Sequence, residues 1–382
     1  MQSKLPNNAA GIISSMGALI GEYGAVDLAY GKTDFPCPDE LVSLAAGYVK
    51  SASNQHSPAE GLLRLRELIA GRINELYGYS FDPVTELTIA SGGTQAVHTA
   101  ITAVVRDDDE VIVFEPACEL YIPSILMNNG KPVYAQLKQP GFKVDWEELR
   151  KMITSKTRMI IIDSPQNPSG RVFSEEDMLQ LQRLTNGTNI IILSSEVYKN
   201  LVYDNIIHQS VARFEKLIRR SLIVSSLEPL YNLNGWGLAY CIGPEGLMSE
   251  FRNVQQIQLS PIHVAFQYAM ADYLEDNYPL DDIVELFQGK RNYFNRLMSK
   301  SLFKVLPAQG GYFELLDYSA VSDEPDLVFA ERLVREHRVA VLPVSVFLHD
   351  KTRQRLLRIC FAKTNETLEL AAERLLKVSS VL

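Results

Sequence analysis

An α/β fold built on a mostly parallel sheet is what this 382-residue sequence predicts, on three observations. From about residue 60, strand-like and helical stretches alternate, the order of a βαβ series. Several of the strand-like stretches are continuous β-branched runs without polar alternation, as in strands covered on both faces. After about residue 275 the texture changes to a long charged helix and short strands, which marks off a smaller α+β unit.

The elements justify this in order. Residues 60–77 (EGLLRLRELIAGRINELY) carry leucine and isoleucine at helical spacing. A short strand, ELTIA, is predicted at 86–90, followed by SGG and a helix from Thr94 through Val105. Strands are predicted at 110–114 (EVIVF), 131–137 (KPVYAQL), 158–163 (RMIIID), 189–193 (NIIIL) and 221–226 (SLIVSS), mostly separated by helical stretches. In such a sheet the ligand crevice lies at the carboxyl ends of the strands. The helix LDDIVELFQGKRNYFNRLMSK (280–300) leads to short strands near 310–316, 339–342 and 355–361 and a closing helix at 365–378. Residues 46–274 therefore read as a large α/β domain. Residues 1–45 and 275–382 read as a small α+β domain.

Composition narrows the function classes. Apolar residues make up 46% and charged residues 22%, which excludes a disordered or fibrous chain. Lys and Arg total 37 against 46 Asp and Glu, a net charge of −9. That balance argues against nucleic acid or an anionic membrane as a partner. The four cysteines (Cys37, Cys118, Cys241 and Cys360) show no CxxC or Cys/His spacing, so neither a metal site nor a disulfide framework is suggested. The first residues lack the hydrophobic run of a signal peptide, and a cytoplasmic protein is expected.

Seven short motifs follow one another in order: QHSPAEGLLRLREL (55–68), SGGTQA (91–96), FEPACELY (114–121), PQNPSG (165–170), SSEVY (194–198), SSLEPLYNLNGWGLAYCIGP (225–244) and LLRICFAK (356–363). Together they resemble the fold-type-I, pyridoxal-phosphate-dependent aminotransferases of class I and II, nearest to the methionine and kynurenine aminotransferase branch. The likeness spans nearly the whole chain. It implies a homodimer, with QHSP reaching across the interface, and a small amino- or keto-acid ligand.

The resemblance gives each motif a task. Gly93, Thr94 and Gln95, at a strand-to-helix turn, and Ser226 would form a phosphate cup, a role that backbone N–H groups at a helix start can serve. Asn167 corresponds to the asparagine that hydrogen-bonds the cofactor's phenolic oxygen, and Tyr198 to the tyrosine that shares it. Arg358 corresponds to the arginine that grips the substrate α-carboxylate, a task suited to its planar fork. Apolar strand residues flank it in LLRICFAK, which points to a buried anion ligand rather than a solvated charge.

Other positions depart from the pattern. Where the family has the lysine that forms the Schiff base, this chain has Pro229, which has no amine. The basic residue that neutralises the phosphate is replaced by Gly237. The carboxylate expected to pair with the ring nitrogen is replaced by Ser195, and Glu196 would point to the opposite face of its strand. Cys118 stands for the aromatic residue that stacks on the ring, and His56 for the tyrosine expected from the other subunit. Two missing charge-assisted contacts at roughly 1.5–3 kcal/mol each amount to about two to four decades of affinity. On that arithmetic no cofactor is expected, with pyridoxal or pyridoxamine phosphate at most weak and non-covalent.

Three readings follow. The first is a repurposed, cofactor-independent enzyme acting on an amino or keto acid held by Arg358 and Asn167. Its candidate reactive groups are Cys118, His56 and Tyr198, with Glu228 as a further, more simply solvated, charge. The second is a non-catalytic pseudo-aminotransferase, a ligand sensor or scaffold, whose former pocket is filled by Leu227, Leu230 and Tyr231. The third is residual use of pyridoxal or pyridoxamine phosphate, resting on SGGTQA and Ser226. A coenzyme attached instead through Lys199 or Lys363 would overturn the cofactor-independent reading.

Overall fold

The computed structural model describes residues 10–51, 55–258, 263–276, 280–350 and 354–379. Among them the strands, in chain order, are β1 (Val26–Asp27), β2 (Leu87–Ser91), β3 (Glu110–Glu115), β4 (Lys131–Gln136), β5 (Thr157–Asp163), β6 (Ile191–Ser195), β7 (Ser221–Ser226), β8 (Leu238–Ile242), β9 (Lys304–Leu306), β10 (Phe313–Asp317), β11 (Val339–Ala340), β12 (Leu342–Pro343) and β13 (Leu356–Cys360). A seven-stranded sheet has the order β2-β8-β7-β6-β5-β3-β4. Every ladder from β7 to β4 is parallel, and β8 runs antiparallel to both β2 and β7. The fold is thus α/β with a mostly parallel central sheet, as the β-branched runs implied.

Burial explains the sequence of these strands. Ile160, Ile161, Ile162, Ile192, Leu193, Leu222, Ile223 and Val224 are all buried, because helices cover both faces. The helix Gly92–Val104 packs against β7 and β8 through Val97, Ala100, Ile101 and Val104. On the other face, Leu65, Ile69 and Ile73 of the helix Leu63–Tyr77 follow a four-residue step into the core. That helix stops at Gly78, whose φ of 73° suits the left-handed position that ends a helix. The helix Glu175–Thr185 starts at a capping box, Ser174 with Asp177.

The antiparallel β8 is absent from the sequence-based expectations. Its LAYCI run lies just past a glycine-broken loop, and its direction depends on its partners rather than on its own residues.

A four-stranded antiparallel sheet, β12-β13-β10-β9, carries the LLRICFAK segment. The N-terminal segment joins this region through β1, which pairs in parallel with β11. The Leu28 N–H donates to the Ala340 carbonyl at 3.0 Å, and the Cys360 N–H to the Leu28 carbonyl at 2.8 Å.

One glycine has a direct bearing on the site. Gly170 in PQNPSG has φ +68°, and a Cβ there would lie 2.4 Å from the Ala308 Cβ. Its carbonyl accepts from Gln309 N–H at 2.9 Å and Gly310 N–H at 3.0 Å, which ties the Asn167 loop to the segment before β10. Gly170→Ala is expected to lower stability by about 2–4 kcal/mol, from backbone strain and overpacking together. Denaturant titration reads this directly; an unchanged midpoint would mean the 308–310 segment yields freely.

Candidate active site

The strand ends build the site. β5 ends at Asp163, β6 at Ser195 and β7 at Ser226, and all three residues line one cleft together with the helix start at Gly93 and Thr94. This is the crevice at the carboxyl ends of a parallel sheet. The cavity has a volume of about 280 Å³. Arg358, Asn167, Tyr198, Cys118, Glu228 and Pro229 line it as well. Among the described residues, no lysine does.

Arg358 reaches the cleft from β13 and is only 4% exposed. One of its terminal nitrogens donates to Asn167 Oδ1 and the other to the Ala29 carbonyl, both at 2.8 Å. The guanidinium lies over the Phe313 ring at 4.0 Å and the Phe347 ring at 5.0 Å. Its Nε is buried without a hydrogen-bond partner among the described residues. A buried cation with an unused donor has a standing demand for an anionic oxygen. No carboxylate among the described residues meets that demand.

Asp163 is a site residue that sequence reasoning missed. Its carboxyl is buried and accepts from the Asn167 N–H at 3.3 Å and from the Tyr121 and Ser195 side chains. Burial pushes its pKa up to about 7, and those donors hold it from rising further. In the β5–β6 ladder Asp163 pairs directly with Ser195. A carboxyl therefore stands one strand over from the position where Ser195 was read as a lost carboxylate. The signal was the aspartate closing IIID, but its meaning depends on strand register, which no local pattern reveals. Glu196 does turn away: its Oε1 accepts from the Ser194 and Ser210 hydroxyls at 2.9 Å and it does not line the cleft.

The other sequence-predicted residues divide. Tyr198 lines the cleft against Tyr312, their rings 4.9 Å apart, and burial drives its phenol well above the ordinary range. It stays a neutral phenol at any physiological pH. Cys118 lines the wall, but burial and the neighbouring Glu119 push its thiol up, opposite to the shift a nucleophilic thiolate needs. A catalytic role for Cys118 has no support in this geometry. His56 is exposed on this chain and does not line the cleft. Gln95 is held within the helix start, where its Oε1 accepts from the Ser91 N–H at 3.1 Å and its Nε2 donates to Thr99 at 2.6 Å. Lys199 and Lys363 lie away from the cleft; Lys363 Nζ donates to the Lys32 carbonyl at 2.6 Å.

Leu227, Leu230 and Tyr231 belong to the hydrophobic core and do not fill the cleft. Glu228 is not solvated, as the sequence had suggested, but 8% exposed. Its carboxylate accepts from the Gly237 N–H at 2.8 Å and the Ser226 hydroxyl at 3.3 Å. Glu228 thus lies in the cup that the resemblance assigns to phosphate.

Pyridoxal phosphate meets two different environments here. At the ring end, Asn167, Tyr198 and the Asp163–Ser195 pair offer the polar partners a pyridine ring needs. At the phosphate end, Glu228 already holds donors of the cup, Gly237 supplies no cation, and Pro229 supplies no amine. The residues present fit the ring and not, in this arrangement, the phosphate or a covalent link at position 229.

Comparison with known proteins bears on what the cleft is for. Residues 24–375 match the family model "Aminotransferase class I and II". The chain is 37% identical over 376 residues to a methionine aminotransferase of Escherichia coli (strain K12), covering 98% of this chain and 97% of that protein. A solved structure of an Escherichia coli protein with a methionine aminotransferase function superposes with a TM-score of 0.94 at 36% identity, over 99% of both chains. The N-succinyldiaminopimelate aminotransferase of Mycobacterium tuberculosis superposes with a TM-score of 0.94 at 28% identity, over 99% of this chain and 100% of that one.

These full-length matches overturn three expectations. The cofactor-independent repurposed enzyme, and with it the non-catalytic pseudo-aminotransferase, do not accord with relatives that are aminotransferases from end to end. The expectation of no cofactor falls with them, since the matching family is pyridoxal-phosphate-dependent. Ser195 is not simply a lost carboxylate, because Asp163 pairs with it on the neighbouring strand. Two observations carry most weight, the family-model match over residues 24–375 and the 37% identity along nearly the whole of both chains. On them, this chain belongs to the class I and II aminotransferases.

Proposed function

We propose that the protein is an aminotransferase-family enzyme whose cleft takes an amino or keto acid by its carboxylate at Arg358, with pyridoxal or pyridoxamine phosphate held there without a covalent link to position 229. The single observation that carries this reading is the buried guanidinium of Arg358, with its free Nε, beside Asn167. When bound, the pyridine ring supplies an electron-withdrawing group for chemistry at the substrate α-carbon.

The chain's own residues do the rest. Arg358 binds and orients the carboxylate through its fork. Asn167, held at its Oδ1 by Arg358, keeps its amide N–H₂ to donate into the cleft. Tyr198 keeps its phenolic proton and offers it as a donor. Asp163 holds or yields a proton near neutral pH at the ring end. Ile13, Leu342 and Phe313 also line the cleft, an apolar lining suited to an uncharged substrate side chain. Methionine, the substrate in the name of one relative, is therefore the first amino acid to try. A homodimer, with the segment containing His56 reaching across, and a cytoplasmic location belong to the same reading; among the described residues no helix is long and apolar enough to cross a membrane.

The test is a single turnover. Protein mixed with pyridoxamine phosphate and the keto acid of methionine is expected to yield methionine, and equilibrium dialysis should show saturable retention of the cofactor. No retention and no amino acid formed would sink the reading.

A further inference from the structure

We infer that Glu228 is the specificity-determining residue of the anion end of the cleft: its carboxylate is a resident anion, and a phosphate-bearing ligand enters only by displacing it. This deepens the reading above, on which it rests for the identity of the cup as the phosphate end.

The geometry is specific. Glu228 opens the short helix Glu228–Tyr231 directly after β7. Its Oε1 takes the Gly237 N–H at 2.8 Å, and its Oε2 takes the Ser226 hydroxyl at 3.3 Å. Ser226 Oγ in turn accepts from the Glu228 N–H at 3.1 Å, which closes the cup into a ring of contacts. The same Oε2 lies 3.5 Å from where a Cβ on Gly92 would sit, so the carboxylate rests against the glycine turn that starts the helix Gly92–Val104.

Those donors, Gly237 N–H, Ser226 and the first turn of that helix, are what an incoming phosphate would use. A carboxylate and a phosphate dianion cannot share them, because like charges in contact repel strongly where water is scarce. Among the described residues no arginine or lysine is a hydrogen-bond partner of Glu228, so its burial there is compensated by neutral donors. The pattern is that of a cup closed by its own acid. Gly237 contributes only a backbone N–H where a basic side chain would have favoured an external anion.

Inorganic phosphate is the probe, with binding to the full-length protein measured by calorimetry at fixed pH and ionic strength. Glu228→Gln keeps the shape and removes the charge; Glu228→Gly vacates the cup. Both variants are expected to bind phosphate at least tenfold more tightly than the wild type, with thermal unfolding run alongside to confirm that they fold. Equal affinities across the three proteins, including no binding in any of them, would overturn the inference. A variant that fails to fold is answered by the other, since the two change the cup in different ways. The outcome is separable from the amino-acid assay: phosphate binding can change with Glu228 whether or not the wild-type chain makes methionine.

Discussion

Arg358→Ala is expected to weaken binding of any amino or keto acid in the cleft by roughly 10²- to 10³-fold. The fork provides charge-assisted hydrogen bonds to a carboxylate in a dry setting, and losing them costs about 3–4 kcal/mol. Truncation also frees Asn167 Oδ1 and the Ala29 carbonyl and removes the stack on Phe313, so some stability goes as well. Arg358→Lys separates the two effects, because it keeps the charge and loses the planar pairing. Ligand-induced thermal shifts measure the outcome with the carboxylic acid and its amide. Equal shifts for acid and amide in the wild type would mean that Arg358 is not the carboxylate anchor.

The second large effect concerns Asp163. Its pKa of about 7 in the folded chain stands above the ordinary 3.8, so the folded protein keeps a proton that the unfolded chain has lost. The contribution of Asp163 to stability is then fullest below about pH 4 and falls as pH rises towards 7, by about 3 kcal/mol between pH 4.5 and pH 8. Asp163→Asn removes that slope. Subtracting the variant's unfolding free energies from the wild type's across this range should leave a curve descending with pH and flat above about pH 8. Parallel profiles for the two proteins would show that the carboxyl ionises without penalty. A ligand presenting an N–H cation to Asp163 should restore the wild type's lost stability at pH 8 and leave Asp163→Asn unaffected.

The uneven legibility of the sequence has physical causes. The parallel strands were readable because burial on both faces leaves the same mark, an unbroken β-branched run, wherever it occurs. The helix Leu63–Tyr77 was readable for a similar reason, its leucine and isoleucine step. Arg358 stood out because a charge set among apolar strand residues requires a partner. Glu228 misled for the opposite reason: a glutamate in a loop looks solvated until Ser226 and Gly237 are known to converge on it. Asp163 was invisible because its role comes from lateral pairing with Ser195, a relation between segments about thirty residues apart. The expectation of no cofactor failed there, because the cleft assembles across strands what lies far apart along the chain.

The carbonyl of Ala29 depends on the same guanidinium that is proposed to hold the carboxylate of a substrate. Residues 26–30 are thereby moored to the group proposed to receive the substrate. Whatever tightens the guanidinium's grip also steadies residues 26–30, and a slack mooring would let the receiving group drift off its mark.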